Sequence, residues 1–196
     1  HEKTAADIAA CLLLAACTAT QNTAENSTAA QSAQNPVWNK QYGGADKSYY
    51  SRLLALREQI APRFEVLTFK DPQTGKEMQY NLYTPKNLEP GRQYPLVMFI
   101  ADASTAGKGV KAPLMQGYGG IIWATDEAQA KHPAFVLVPS YTETAVNDQW
   151  QTSDEVGMTL RLVKSLMTQK LIDPDRVYTT GQSMGGMISL YLNSIE

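Results

Sequence analysis

The sequence predicts an α/β protein built on a largely parallel sheet, and three observations carry that prediction. Two short runs, Pro95–Ile100 and Phe135–Val138, are apolar throughout, as strands are when helices cover both faces of a parallel sheet. Segments with helical spacing lie between and after them, so strand and helix alternate along the chain. Near the end, Val177-Tyr178-Thr179-Thr180 runs directly into Gly181-Gln182-Ser183-Met184-Gly185 and then into the helix-compatible stretch Met187–Leu192.

Length and composition are compatible with this class. The chain has 196 residues, of which 43% are hydrophobic and 18% charged, enough for one domain with a real core. The net charge of −2 and the lack of any basic cluster exclude a nucleic-acid surface. Both cysteines, Cys11 and Cys17, fall in the first apolar stretch. The body of the chain is therefore expected to have no disulfide and no cysteine metal site, and no metal or cofactor is expected.

Residues 1–17 read as a signal peptide. The apolar core Ile8–Ala16 is too short to span a bilayer as a helix. It follows a polar start containing Lys3, as an h-region does. Leu14-Ala15-Ala16-Cys17 resembles the lipobox of bacterial lipoproteins. That resemblance implies cleavage before Cys17, lipid on its thiol and a place in the cell envelope; an ordinary secretory signal without lipid is the other reading. Residues 18–45 are dominated by Thr, Ala, Gln, Asn and Ser. They cannot bury enough surface to order themselves and read as a disordered tether. The globular domain is placed at residues 46–196.

Within that domain, Tyr50, Leu53, Leu54, Leu56 and Ile60 recur at helical spacing up to Pro62. Phe64–Lys70 is a strand candidate, and Asp71–Lys76 carries turn chemistry. Met78, Tyr80 and Leu82 alternate with Gln79, Asn81 and Tyr83, which predicts a β-hairpin with one solvated face. A Gly-rich loop from Gly107 to Gly120 and one helix over Ile121–Lys131 fill the gap between the two apolar strands. Thr152 with Glu155 three residues on has the form of a capping box. The helix it would open places Val156, Leu160, Val163, Leu166 and Met167 in one stripe. Asp173–Arg176 reads as a turn before the strand that leads to Ser183.

The Gly-x-Ser-x-Gly stretch has the form of a nucleophile elbow. A strand delivers the serine, and the turn is so sharp that the residues two before and two after must be small. Gly181 and Gly185 meet that need. The helix start then aims free N–H groups and a partial positive charge at the site.

Ile172–Gly186 resembles the elbow region of secreted α/β-hydrolase esterases. The nearest in character are the polyhydroxybutyrate-depolymerase and feruloyl-esterase-like group, with prolyl-oligopeptidase-like hydrolases as neighbours. The Tyr94–Ile100 run resembles their oxyanion-side strand, and the likeness covers roughly residues 64–196. It implies an α/β-hydrolase fold, of which this chain holds the N-terminal part of a mixed, mostly parallel sheet with an antiparallel N-terminal hairpin. It implies Ser183 as nucleophile of an acyl-enzyme mechanism, with oxyanion donors at the N–H groups of Met184 and Ala103. It implies a small-molecule or polymeric ester as substrate, in a protein outside the cytoplasm and joined to a membrane only through the anchor at Cys17. A serine peptidase of prolyl-oligopeptidase type and a non-catalytic surface binding protein remain the alternatives.

The triad order in that family is serine, then acid, then histidine. His132, Asp148 and Asp154 all precede Ser183, so the base and acid are expected beyond a C-terminal truncation. His132 is expected at the amino end of its strand, away from the serine, and Asp148 and Asp154 read as capping or turn residues. Asp102 stands where the family has a glycine and reads as a turn-capping carboxylate. Trp150 and Tyr118 are the candidate pocket residues.

Overall fold

A computed structural model describes residues 47–195, with side chains from Ser51 onward. The expected signal peptide, the tether and Cys17 lie outside the described residues. Helix α1 spans Lys47–Ile60 and tightens into a 3₁₀ turn, Ala61–Arg63, at Pro62. Strands β1 (Glu65–Lys70), β2 (Glu77–Tyr83) and β3 (Tyr94–Ile100) follow. After β3 come a 3₁₀ turn (Ala103–Thr105), the short α2 (Ala112–Met115), a second 3₁₀ turn (Ile121–Ala124) and α3 (Asp126–Lys131). The chain continues through β4 (Phe135–Pro139), α4 (Asp154–Gln169), β5 (Ile172–Gly181) and α5 (Met184–Ile195).

The five strands form one mixed sheet in the order β1-β2-β4-β3-β5. β4, β3 and β5 run parallel, and the β1–β2 hairpin joins β4 antiparallel. Side chains alternate across each strand, so the sheet has two apolar faces. On one, Leu96, Met98 and Leu137 meet Leu162 of α4 and Ile188 and Leu192 of α5. On the other, Phe99, Val136 and Val138 meet Ile60, Leu114 and Ile121. Burial on both faces accounts for the unbroken apolar runs of β3 and β4. A sheet of mostly parallel strands with helices on both faces, extended by an antiparallel hairpin, is the α/β architecture that the sequence predicts.

Four local expectations are corrected. The second face of the hairpin is solvated all along β1, at Val66, Thr68 and Lys70, but only over the first half of β2. Glu77 and Gln79 are exposed, but Asn81 and Tyr83 are buried, because β4 flanks β2 and Asn81 donates to the carbonyls of Val110 and Val138. The helix over 121–131 is two pieces, since the Thr125 hydroxyl accepts from Ala128 N–H and starts α3 afresh. The capping box is absent: Ser153 caps α4 by accepting from Glu155 N–H, and Thr152 pairs with Val146. Asp173–Arg176 is not a separate turn but a bulge inside β5. Ile172 pairs with Tyr94 and Val177 already with Leu96, while Arg176 closes the bulge on Asp173 and the Gln93 carbonyl.

Candidate active site

β5 ends with Gly181 beside Ile100, the last residue of β3. Gln182 N–H still donates to the Ile100 carbonyl at 3.2 Å. The next residue, Ser183, turns into the left-handed region at φ 53°, which for a residue with a Cβ costs about 1–2 kcal/mol. Gly185 N–H then bonds the Gln182 carbonyl at 2.9 Å, Met187 N–H bonds that of Ser183 at 3.1 Å, and α5 is under way. The glycines make this course sterically feasible. A Cβ on Gly181 would stand 2.3 Å from the backbone of Gly185, and one on Gly185 would stand 1.8 Å from the Ile100 carbonyl oxygen. Three pieces of main chain therefore meet with no side chain between them, and the serine is thrust outward, exposed to solvent.

Two N–H groups flank this position. Met184 is the first residue of α5 and Ala103 the first of the 3₁₀ turn after β3. The first N–H groups of a helix have no partner within it. The chain around Ala103 is fixed by Asp102, whose carboxylate accepts from Ser104 N–H and from the Ser104 hydroxyl. Asp102 N–H donates in turn to the Gln116 side-chain oxygen at 2.9 Å. The Ser104 hydroxyl, followed by Gln116, holds the Asp102 carboxyl below its usual value. That carboxylate is engaged as a cap.

Ser183, Met184 and Ala103 line one cleft of about 230 Å³. Its further walls are Met187 from α5 and Thr144, Val146, Asn147 and Asp148 from the loop after β4. Two larger hollows, of about 320 and 520 Å³, lie against α4 and share no residue with the Ser183 cleft. The carboxyl ends of β3, β4 and β5 thus converge on the serine, the side of a parallel sheet where ligands bind.

The remaining candidates are placed as follows. Trp150 does not line the cleft; it sits half-exposed at φ 58° at the tip of a turn closed by its own N–H on the Asn147 carbonyl. Tyr118 does not line it either, but packs against the Phe99–Leu114 cluster on one sheet face. His132 ends α3 just before β4; β4 and β5 both run parallel to β3, so it lies at the end of the sheet opposite Ser183. Asp154 pairs with Lys76 at 2.6 Å. Asp148 contributes to the cleft wall, which the sequence reading did not foresee. Among the described residues, no side chain hydrogen-bonds the Ser183 hydroxyl. No group of three or more His, Cys, Asp or Glu gathers in one place among the described residues.

No family model matches the chain, and no curated protein does. Solved structures do. A thermostable esterase shares 32% identity with a TM-score of 0.62 over 66% of this chain and 36% of its own. A CE1 ferulic acid esterase from Anaeromyces mucronatus, solved with ferulic acid, shares 15% identity with a TM-score of 0.50 over 66% of this chain and 52% of its own. The second likeness is one of fold; the first extends to sequence. The chain carries an α/β-hydrolase fold of the kind found in esterases. It spans 36% of the length of the thermostable esterase it matches.

Proposed function

We propose that the chain is part of a serine ester hydrolase and that Ser183 is its nucleophile. The observation that carries this reading is Ser183 at φ 53°, lining one cleft with Met184 and Ala103, the first residues of two helical turns. The Ser183 oxygen attacks the ester carbonyl carbon and its proton passes to a base. The carbonyl oxygen becomes an anion held by the N–H groups of Met184 and Ala103; removing one such donor raises a barrier by about 3 kcal/mol. Collapse expels the alcohol, which takes the proton from the base, and leaves an acyl group on Ser183. Water activated by the same base then releases the acid.

The base is not among the described residues near Ser183, so in this reading the histidine and its acid come from elsewhere in a longer protein. The 36% span of the matched esterase supports that. The test compares the full-length protein, its Ser183→Ala variant and the 196-residue chain with a fluorophosphonate probe and a p-nitrophenyl ester. The full-length protein is expected to label and turn over, the variant to do neither, and the chain alone to retain at most the residual acceleration of roughly 10³–10⁴ over water that donors and binding provide. Turnover that survives Ser183→Ala would remove the nucleophile assignment. The competing reading is a hydrolase-fold protein that binds without reacting; absent labelling of the full-length protein would favour it. A serine peptidase of the same fold would cleave a peptide amide as well as the p-nitrophenyl ester, whereas an esterase would leave the amide intact.

The proposal extends to location. Leu14-Ala15-Ala16-Cys17 ahead of a polar stretch supports a lipid anchor at Cys17 and an extracytoplasmic protein. Cys17→Ser is expected to abolish palmitate labelling and release the protein from membranes; unchanged fractionation would rule the anchor out.

A further inference from the structure

We infer that Glu155 is a positioning residue for the Ser183 cleft, its buried carboxylate clamping the root of the loop that forms the cleft wall. The inference rests on the ester-hydrolase reading for its kinetic consequence, though not for the clamp itself.

Glu155 lies in the first turn of α4 yet points inward and is only 7% exposed. One carboxylate oxygen accepts from Thr142 N–H, the Thr142 hydroxyl and Glu143 N–H at 3.0–3.1 Å, and the other also accepts from Thr142 N–H. The positive end of the α4 dipole favours a negative charge there. Thr142 and Glu143 directly precede Thr144, the first loop residue in the cleft.

Beyond that root the loop organises itself. The Asn147 side-chain oxygen accepts from the N–H groups of Gln149 and Gln151, its amide donates to the Gln151 side chain, and Val146 bridges to Thr152. Ser153 N–H closes on the Ala145 carbonyl at 2.9 Å. A unit so cross-linked moves as a body, and its pose is set where it joins β4, at the residues Glu155 holds. The opposite wall leans on the same place. Gly107, a few residues beyond Ala103, donates to the Tyr141 carbonyl at 2.9 Å, and a Cβ on it would stand 3.1 Å from the Thr142 carbonyl oxygen. Below them, the Tyr141 hydroxyl and Thr159 share a buried hydrogen bond, and Thr159 also bonds the Glu155 carbonyl. Removing the carboxylate leaves N–H groups at the hinge without an acceptor, while Ala145 and Val146 stay buried and keep the loop from unfolding.

The experiment uses the full-length protein and the variants Glu155→Ala and Glu155→Gln. Amide exchange at Thr142 and Glu143 is expected to rise roughly tenfold in Glu155→Ala, with Leu162 and Leu166 of α4 unchanged. For a p-nitrophenyl ester, KM is expected to rise about tenfold while kcat stays within about threefold. Glu155→Gln, which retains one acceptor oxygen, is expected to recover most of the KM. A purely structural role would instead lower the fraction of Ser183 that labels, with KM unchanged; that result overturns the inference, as does unchanged exchange at the hinge. If the wild-type protein turns over no ester, the ester-hydrolase reading fails by itself, and exchange at the hinge alone decides the clamp.

Discussion

In the hairpin turn between β1 and β2, Gly75 sits at φ 71° and a Cβ added to it would meet nothing within 4 Å. In the turn between β5 and α5, a Cβ on Gly185 would stand 1.8 Å from a carbonyl oxygen. The first glycine supplies a backbone conformation and the second supplies room. The two turns are also held differently. The hairpin turn is closed by its own residues, Gly75 N–H on the Asp71 carbonyl and the Gln73 and Thr74 N–H groups on the Asp71 carboxylate, while Arg161 of α4 braces that carboxylate from outside. The Ser183 turn is shaped by the end of another strand, at Ile100. One turn is coded locally, the other by tertiary packing, and substitutions should separate them.

The largest effect is expected at Gly185. Gly185→Ala must displace the backbone of β3 or α5, so either no folded protein is recovered or the loss exceeds about 4 kcal/mol; soluble yield and denaturant titration measure it. Near-normal stability would mean that α5 does not approach β3 so closely.

Asp71→Asn comes next. Asp71 is fully buried and bonded twice by the Arg161 guanidinium at 2.7 and 2.8 Å. That contact, helped by the Thr74 hydroxyl and the Gln73 N–H, holds the Asp71 carboxyl well below its ordinary value of 3.8 against the upward push of burial. A depressed value stabilises the fold above 3.8, and the contribution is lost as the pH falls toward the lower folded-state value. Asp71→Asn should therefore melt lower than wild type at pH 7, and the gap should narrow below pH 3.8. A gap independent of pH would show that the charge contributes nothing.

The smallest effect is expected at Gly75. Gly75→Ala should cost about 1 kcal/mol for the left-handed backbone alone, and Gly75→Asn less. Equal damage from Gly75→Ala and Gly185→Ala would erase the distinction between conformation and room.

The same distinction decides what was legible in the sequence. The Ser183 turn could be read because its spatial demand leaves small residues at two fixed offsets, and because β5 and α5 abut it. The parallel core could be read because strands covered on both faces carry no polar residues. The loop after β4 could not. Its pose depends on Glu155 reaching back from α4, and a Glu three residues after a Thr has the same spacing whether it caps a helix or clamps a loop. Asn147 and Asp148 entered the cleft unforeseen for that reason. The break at Thr125 was legible in principle, since a Thr before Asp126 and Glu127 is a helix start; the apolar Ile121 and Ile122 drew the helix too far forward. Trp150 and Tyr118 lie after a strand and in the Gly-rich loop, on the side of the sheet where ligands bind, and that placement does not say which way a side chain faces.

Ser183 has a consequence for protein engineering. Its left-handed backbone is one that glycine adopts freely, so Ser183→Gly should relax about 1–2 kcal/mol of strain, which exceeds the roughly 0.4–1 kcal/mol that glycine's freer unfolded chain costs, and should raise stability slightly. A laboratory selection for solubility or heat resistance alone would then favour variants that have discarded the hydroxyl, with no warning in their melting curves. If Ser183 is the nucleophile, as proposed above, gains that map to position 183 are losses of activity, and a screen meant to keep the chemistry has to select for it directly.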